Sequence, residues 1–470
     1  MPTAEGPARA GSAPPESSMP QPQGPRPHHR RAAAAGSLVL AVLCLGGGPA
    51  TAAPTAERPA RGADGGHRPD VRLLDTITVP VGTVLDGVPF GGVSGIDYDP
   101  RSGRYVALSG DRSEPAPARL HVLRLPLDAK GFAVRTPQPA GSTVLSGPDG
   151  KPLPRRTVDP EAIRWAPGGK GLLWAGEGDA AAGLPPFVRE AATDGGHRRE
   201  LPLPAAYRPV LGADGTPVSG VRAHQAFEGL ALSLDGSKVV TLTEGSLVQD
   251  GPAPTAAAGS RSRLLVQGRA DGRPLGEFVY PLGPPTDAGP VPAGTRRGAS
   301  EILAVNETDY LVVERTAKSG TDFGIRIWWT TTVGATDVNG RAALAGSERV
   351  MPKRLLFDFA TAGVAPDNVE GLTWGPRLAD GSRSLVLVSD DSAGAFGSPG
   401  TAFHLLAVRP GLLAVHSPDV DHDGCVDRAD LRRLLRSGRA GDLNGDGRTD
   451  GRDIRLWGSY GRTFPFPRGD

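Results

Sequence analysis

Between Val71 and Val408 short apolar runs alternate with breaks rich in glycine, proline and aspartate, and Gln225–Ser246 shows the unit most clearly. In QAFEGLALSLDGSKVVTLTEGS a first run starts at Glu228-Gly229-Leu230 and turns at Leu234-Asp235-Gly236. It returns through Val239–Leu242 and ends on Glu244. Two β runs joined through Asp-Gly predict a hairpin, because that dipeptide tolerates the positive φ of a tight turn. The unit recurs as Ser94–Asp111, Glu161–Glu177, Glu301–Glu314 and Glu370–Asp390. Its starts at 94, 161, 228, 301 and 370 are spaced by 67, 67, 73 and 69 residues. A fixed period marks units that each bury a face against the next. With β hairpins as the unit, radial closure into a propeller leaves few exposed edges.

The expected fold is therefore all-β: a five- or six-bladed β-propeller-like domain over residues 71–410, followed by a small α-helical calcium-binding domain. Five repeats are visible, and a sixth blade would combine Val71–Pro80 with the last strand, Phe403–Val408, latching the ends of the ring. The period exceeds the ~40–50 residues of common propeller repeats. Long inserted loops are accordingly expected at Lys130–Pro154, Leu201–Val221 and Gly251–Gly259. Composition agrees, since 66 Gly and 47 Pro with only 5% aromatics suit short strands with many turns. Lys+Arg 52 against Asp+Glu 51 leaves no global field to steer the chain towards nucleic acid or an anionic membrane.

Residues 1–52 read as a disordered n-region and a signal peptide. Arg30-Arg31 precede the apolar segment Ala32–Leu45, and Ala50-Thr51-Ala52 supplies a small-residue cleavage site. That segment is short for a membrane span. Cleavage after Ala52, with Met19 as an alternative start, predicts a secreted, extracellular protein without a membrane span, led by a flexible stretch at 53–70. The arginine pair leaves the twin-arginine route open. Cys44 leaves with the signal peptide, so Cys425 is the mature chain's one thiol.

Superposing the repeats puts one carboxylate at the start of strand one: Glu161, Glu228, Glu301 and Glu370, with Ser94 in the first repeat. A second follows strand two: Asp111, Glu177, Glu244, Glu314 and Asp390. Equivalent positions of successive blades meet at one end of a propeller channel. Carboxylates gathered there repel one another unless cations sit among them. A further divalent ion in the propeller would polarise a phosphoryl oxygen and activate water. Arg112, Arg189, Arg222, His224 and Arg315 flank the acids and could hold phosphate oxygens or pair with the carboxylates. The plainer alternative is that an acid before Gly-Leu accepts backbone N–H bonds, so that repetition reflects blade geometry alone. Trp165, Trp174 and Trp374 fall within repeat strands and are expected in the core. No Gly-x-Ser-x-Gly elbow occurs, so serine-esterase chemistry has no support.

After a linker at 411–418 come DVDHDGCVDRAD, Asp419–Asp430, and DLNGDGRTDGRD, Asp442–Asp453. Oxygen ligands at loop positions 1, 3, 5, 9 and 12 with Gly at 6 are what a hard calcium ion needs. The first loop offers Asp419, Asp421, Asp423, Asp427 and Asp430 with the Cys425 carbonyl. The second offers Asp442, Asn444, Asp446, Asp450 and Asp453 with the Arg448 carbonyl. Two Ca2+ ions are expected in residues 419–462, each loop running into a short helix, Leu431–Leu435 and Ile454–Trp457.

The ordered series SGIDYDP, VDPEAI, PFVRE, AFEGLALSLDG, SEILAV and NVEGLT resembles the family called esterase-like activity of phytase, over roughly residues 85–410. The resemblance implies a secreted propeller-like protein that hydrolyses a small-molecule phosphoester or related ester. The paired loops resemble a dockerin type I module, which implies a cohesin-like protein partner. Arg428-Ala429 and Gly451-Arg452 stand where cellulosomal dockerins often carry Ser-Thr, and Thr449 replaces an aliphatic residue. The leading expectation is a phytase-like hydrolase. The competing one is a non-catalytic binding propeller, or a scaffold docked through its C-terminal loops.

Overall fold

The computed structural model describes residues 70–464 apart from 256, 286–290, 293, 320–321 and 437–440. The expected signal peptide and leader, residues 1–69, lie outside the described residues. Among the described residues, five sheets of four antiparallel strands form the blades. Their inner strands are Val93–Asp99, Pro160–Trp165, Phe227–Leu232, Arg296–Ala304 and Asn368–Arg377, each touching the next in a closed ring. Glycines permit that approach. A Cβ on Gly95 would stand 2.9 Å from the Glu161 carbonyl oxygen of the second blade, and one on Gly371 3.1 Å from the Ile96 nitrogen of the first.

Hydrophobic clusters fill the gaps between neighbouring blades. Val106, Leu108, Ile163 and Trp174 join blades one and two, and Leu173, Val188, Leu230 and Leu265 join two and three. Leu264, Tyr280, Ile302 and Val312 join three and four. Ile327, Trp329, Leu372 and Leu387 join four and five, while Val388 and Phe403 meet Ile96 across the closing seam. Burial of these faces is the main term holding the ring together.

The ring has five blades, which corrects the six-bladed alternative. Val71–Pro80 does pair with Gly400–Val408, but as the outermost strand of the fifth blade, in the order 71–80, 400–408, 383–390, 368–377. The long period is also explained differently. A blade uses four strands, and the outer ones occupy stretches expected as loops: Gln138–Val144 lies inside Lys130–Pro154. Leu201–Val221 carries a 3-10 turn at Ala205–Tyr207 and the small hairpin Val210–Leu211 with Pro217–Ser219.

Among the described residues beyond the propeller are two helices, Arg428–Arg436 and Gly451–Thr463, longer than the sequence suggests. They share a small core of Ala414, Val420, Leu434, Leu443 and Leu456. Tyr460 and Phe464, at the end of the second helix, pack edge-on against Trp329 at ring separations of 5.9 and 5.0 Å. Among the described residues, no helix is long and apolar enough to cross a membrane.

Candidate active site at the channel mouth

Every inner strand carries a bulge near its start, where the pairing register with the second strand skips one residue. The skipped residues are Ser94, Glu161, Glu228, Ser300 and Glu370. A bulge re-aims its side chain, and Ser94, Glu161, Glu228 and Glu370 line one cavity of about 560 Å³ at this end of the channel. In the fourth blade the bulge falls on Ser300, which corrects the expectation for Glu301. One residue along a strand reverses the face. Glu301 is fully buried, pairs with Arg164 Nη2 at 2.8 Å and accepts the Leu230 N–H at 3.0 Å.

The ends of the second strands follow the same logic. The residues that follow the partner of each pre-bulge position are Gly110, Glu177, Glu244, Arg315 and Asp390, and all five line the cavity. Glu314 is therefore one residue out of phase. It faces the blade interior, where Tyr280 Oη donates to it at 2.7 Å and Lys353 pairs with it. Asp111 lies one residue past the ring and is paired with Arg119 at 2.6 Å. Neither Glu314 nor Asp111 lines the cavity.

Seven acids thus surround the mouth: Asp159, Glu161, Glu177, Glu228, Glu244, Glu370 and Asp390. Arg315 stands among them, donating to Glu244 at 2.7 Å, to Asn368 Oδ1 at 2.5 Å, and to Glu370. Burial and then the neighbouring carboxylates hold Glu161, Glu177, Glu228 and Asp390 well above the usual carboxylate range. Burial, opposed by Arg112 and assisted by Glu370, pushes Asp159 up to about 7. One oxygen each of Glu161, Glu177 and Glu228 lies within 4.8 Å of the others, and Asp159, Glu177 and His224 form a second such group. Glu228 Oε2 is buried without a hydrogen-bond partner. Hard oxygen donors with an unpartnered buried oxygen fit a divalent cation.

The flanking cations divide. Arg315 is central. His224 sits at the rim, its side chain 62% exposed and its Nδ1 4.0 Å from Glu177. Arg112 is beside it, 3.2 Å from Asp179 and 3.5 Å from Asp159. Arg189 is elsewhere, which corrects its expected role: it is on the third strand of blade two, paired with Glu200 at 2.9 Å and lying over Phe187. Arg222 binds the Ser246 and Gly251 carbonyls at 3.2 and 2.6 Å, and so fastens a loop rather than facing a substrate. Sequence reasoning missed Asp159 and Asn368, each two residues before a strand-start glutamate, and the cavity-lining Arg296 and Lys318.

The C-terminal loops repeat one hydrogen-bond pattern. Asp419 accepts the Asp423 and Gly424 N–H groups at 3.1 and 2.9 Å, and Asp442 accepts those of Asp446 and Gly447 at 3.0 and 2.7 Å. At the last positions, Asp430 accepts the Asp427 N–H and Asp453 that of Asp450, both at 2.7 Å. Oxygens of Asp419, Asp421 and Asp430 lie within 4.8 Å of one another, and Asp421 Oδ1 is buried without a partner. These donors also fit a hard cation.

A family model described as Phytase-like, esterase-like activity of phytase, matches residues 88–393. The chain belongs to the phytase-like family. Its match ends before the paired C-terminal loops, so the phytase-like part coincides with most of the propeller. No curated protein sequence matches this phytase-like chain. Among solved structures, a GH43 β-1,3-galactosidase with galactodeoxynojirimycin aligns at 10% identity and TM-score 0.38, covering 70% of this chain and 95% of that one. An exo-β-1,3-galactanase from Phanerochaete chrysosporium aligns at 11% identity and TM-score 0.39, covering 70% and 64%. A luciferin-regenerating enzyme aligns at 10% identity and TM-score 0.33, covering 71% and 94%.

Proposed function

We propose that this phytase-like protein is a secreted hydrolase that cleaves a small-molecule phosphoester, or a related ester, at the acidic channel mouth. The observation that carries the reading is the convergence of Glu161, Glu177 and Glu228 oxygens within 4.8 Å, with Glu228 Oε2 unpartnered, beside Arg315. Those carboxylates would hold a divalent ion, which when bound polarises a phosphoryl oxygen and lowers the pKa of water. Glu244, Glu370 and Asn368 orient the Arg315 guanidinium. Their bonds use three of the five N–H donors of an arginine, leaving the others for phosphoryl oxygens. Asp159, poised near neutrality, is placed to give or take a proton at the rim.

The C-terminal loops, in this reading, bind two Ca2+ ions and fold around them. A protein partner of cohesin-like kind for that end of the chain belongs to the same reading. A propeller that only binds, docked through this module, is the second reading. Hydrolysis of a chromogenic phosphomonoester, with and without chelator, separates the two. The hydrolase reading expects activity that is lost to chelator, restored by a divalent metal and reduced at least a hundredfold in Glu228→Gln. Activity absent under every metal tested would leave the binding propeller.

A further inference from the structure

At the other end of the fifth blade lies a cleft of opposite polarity. It measures about 660 Å³ and is lined by Arg377, Arg383 and Arg409 from the propeller side and by Arg452, Arg455 and Arg462 from the last helix. Only Arg409 and Arg452 have carboxylate partners among the described residues: Asp70 at 2.8 Å and Asp446 at 3.1 Å. Arg377 and Arg383 stand directly opposite one another on paired strands. Like charges in that position destabilise a sheet. Arg383 lies 3.4 Å over the Trp374 ring, and its Nη1 is buried with no hydrogen-bond partner. Burial, followed by the Arg377 charge, lowers its pKa to about 10. On the helix, positions 452, 455, 459 and 462 share one face, because residues three and four apart are neighbours there.

An unpaired, partly desolvated guanidinium opposed by a second one is unfavourable unless an anion completes the arrangement. We propose that this cleft binds a small, soluble, multivalent oxyanion of the phosphate class, held between Arg377 and Arg383 of the fifth blade and Arg455 and Arg462 of the last helix. Guanidinium forks match tetrahedral oxyanions in a bidentate way that a lysine cannot. The channel mouth, crowded with carboxylates, needs a bound metal before it can accept such an anion; this cleft does not.

Calorimetric titration of the full chain at constant ionic strength tests the site, with inorganic pyrophosphate, inorganic phosphate and glucose 6-phosphate as separate probes. Saturable binding is expected, weakened at least tenfold by Arg383→Gln and by Arg455→Gln. Tighter binding of pyrophosphate marks a free polyanion as the ligand, and tighter binding of the sugar phosphate marks an esterified phosphoryl group. Without ligand, Arg383→Gln is expected to unfold at a temperature no lower than wild type, since it relieves repulsion with Arg377. Pyrophosphate is expected to raise the wild-type midpoint and leave that of the variant unmoved. No binding to the wild type, or binding by both arginine variants as tight as that of the wild type, overturns the proposal.

Discussion

The Tyr460 hydroxyl donates a 2.6 Å hydrogen bond to Asp309 Oδ1, joining the last helix to the fourth blade across 151 positions of sequence. Asp309 is buried, and Asn306 and Trp329 also donate to it. Burial raises its carboxyl despite these donors, so the ionised form depends on keeping each of them. Tyr460→Phe retains the ring against Trp329 and removes the hydroxyl alone. A loss of about 1–3 kcal/mol is expected for leaving a buried charged acceptor short of a donor. Denaturant unfolding of the full chain measures it; an unchanged midpoint would mean that the aromatic contacts alone attach the helix.

The inner hairpins were legible because their turns carry Asp-Gly or Gly-rich breaks and their strands are apolar on both faces, as at Phe227–Leu232 and Lys238–Thr243. The outer strands were not. Gln138–Val144, QPAGSTV, has no buried position and no alternation, and reads as a loop until a neighbour supplies its hydrogen bonds. At the mouth, the errors at Glu301 and Glu314 share one cause. Matching acid to acid shifts the fourth repeat by one residue, because the strand presents Ser300 and Glu301, then Glu314 and Arg315, side by side. Which of two adjacent polar residues occupies a bulge is decided by pairing, and pairing is not written in composition. Corrected, the repeat also explains why Arg315 is central: it takes the place held by an acid in three other blades.

The Glu301–Arg164 pair yields a prediction of its own. Arg164 is buried between blades and also donates to the Ile96, Ile163 and Ile302 carbonyls at 2.8–2.9 Å. Arg164→Met would strand Glu301, whose carboxyl burial already pushes to about 7. The expected loss is about 3–5 kcal/mol, as for one partner removed from a buried ion pair. Adding Glu301→Gln should recover part of it. Unfolding measurements on the single and double variants check the coupling, and strictly additive losses would refute it.

Two buried histidines predict a pH dependence of stability. His404 meets Thr76 at 2.9 Å and the Phe359 ring edge-on, and His121 meets Ser142 at 2.9 Å and the Phe90 ring. Burial lowers each from the ordinary 6.5 to about 4. Between those values the unfolded chain takes up protons that the folded chain excludes. Stability is therefore full above pH 6.5 and falls as pH drops towards 4. The effect is on the order of 3 kcal/mol per histidine. The acids at the channel mouth titrate with the opposite sign, so the informative quantity is a difference between proteins. His404→Asn should show a smaller loss than wild type on moving from about pH 7.5 to about pH 4.5. Parallel pH curves for the two proteins would contradict the assignment.

The proposed calcium sites of the C-terminal loops can be tested at a residue that does little else. Most loop carboxylates also cap backbone N–H groups, as Asp453 does for the last helix, so their removal confounds metal loss with helix loss. Asp421 Oδ1 is buried without a partner, next to Asp419 and Asp430. Without metal, three carboxylates so close repel one another, and Asp421→Ala should leave stability in chelator equal to or above that of wild type. With calcium the order should reverse, because the variant lacks a ligand of the first loop while the second stays whole. Calorimetry on the full chain is expected to find near two ions per wild-type chain and near one for the variant. The thermal midpoint should rise with calcium in both, and by more in the wild type. A variant that still takes up two ions with unchanged heat would exclude Asp421 as a ligand and, with it, the loop assignment built on its spacing.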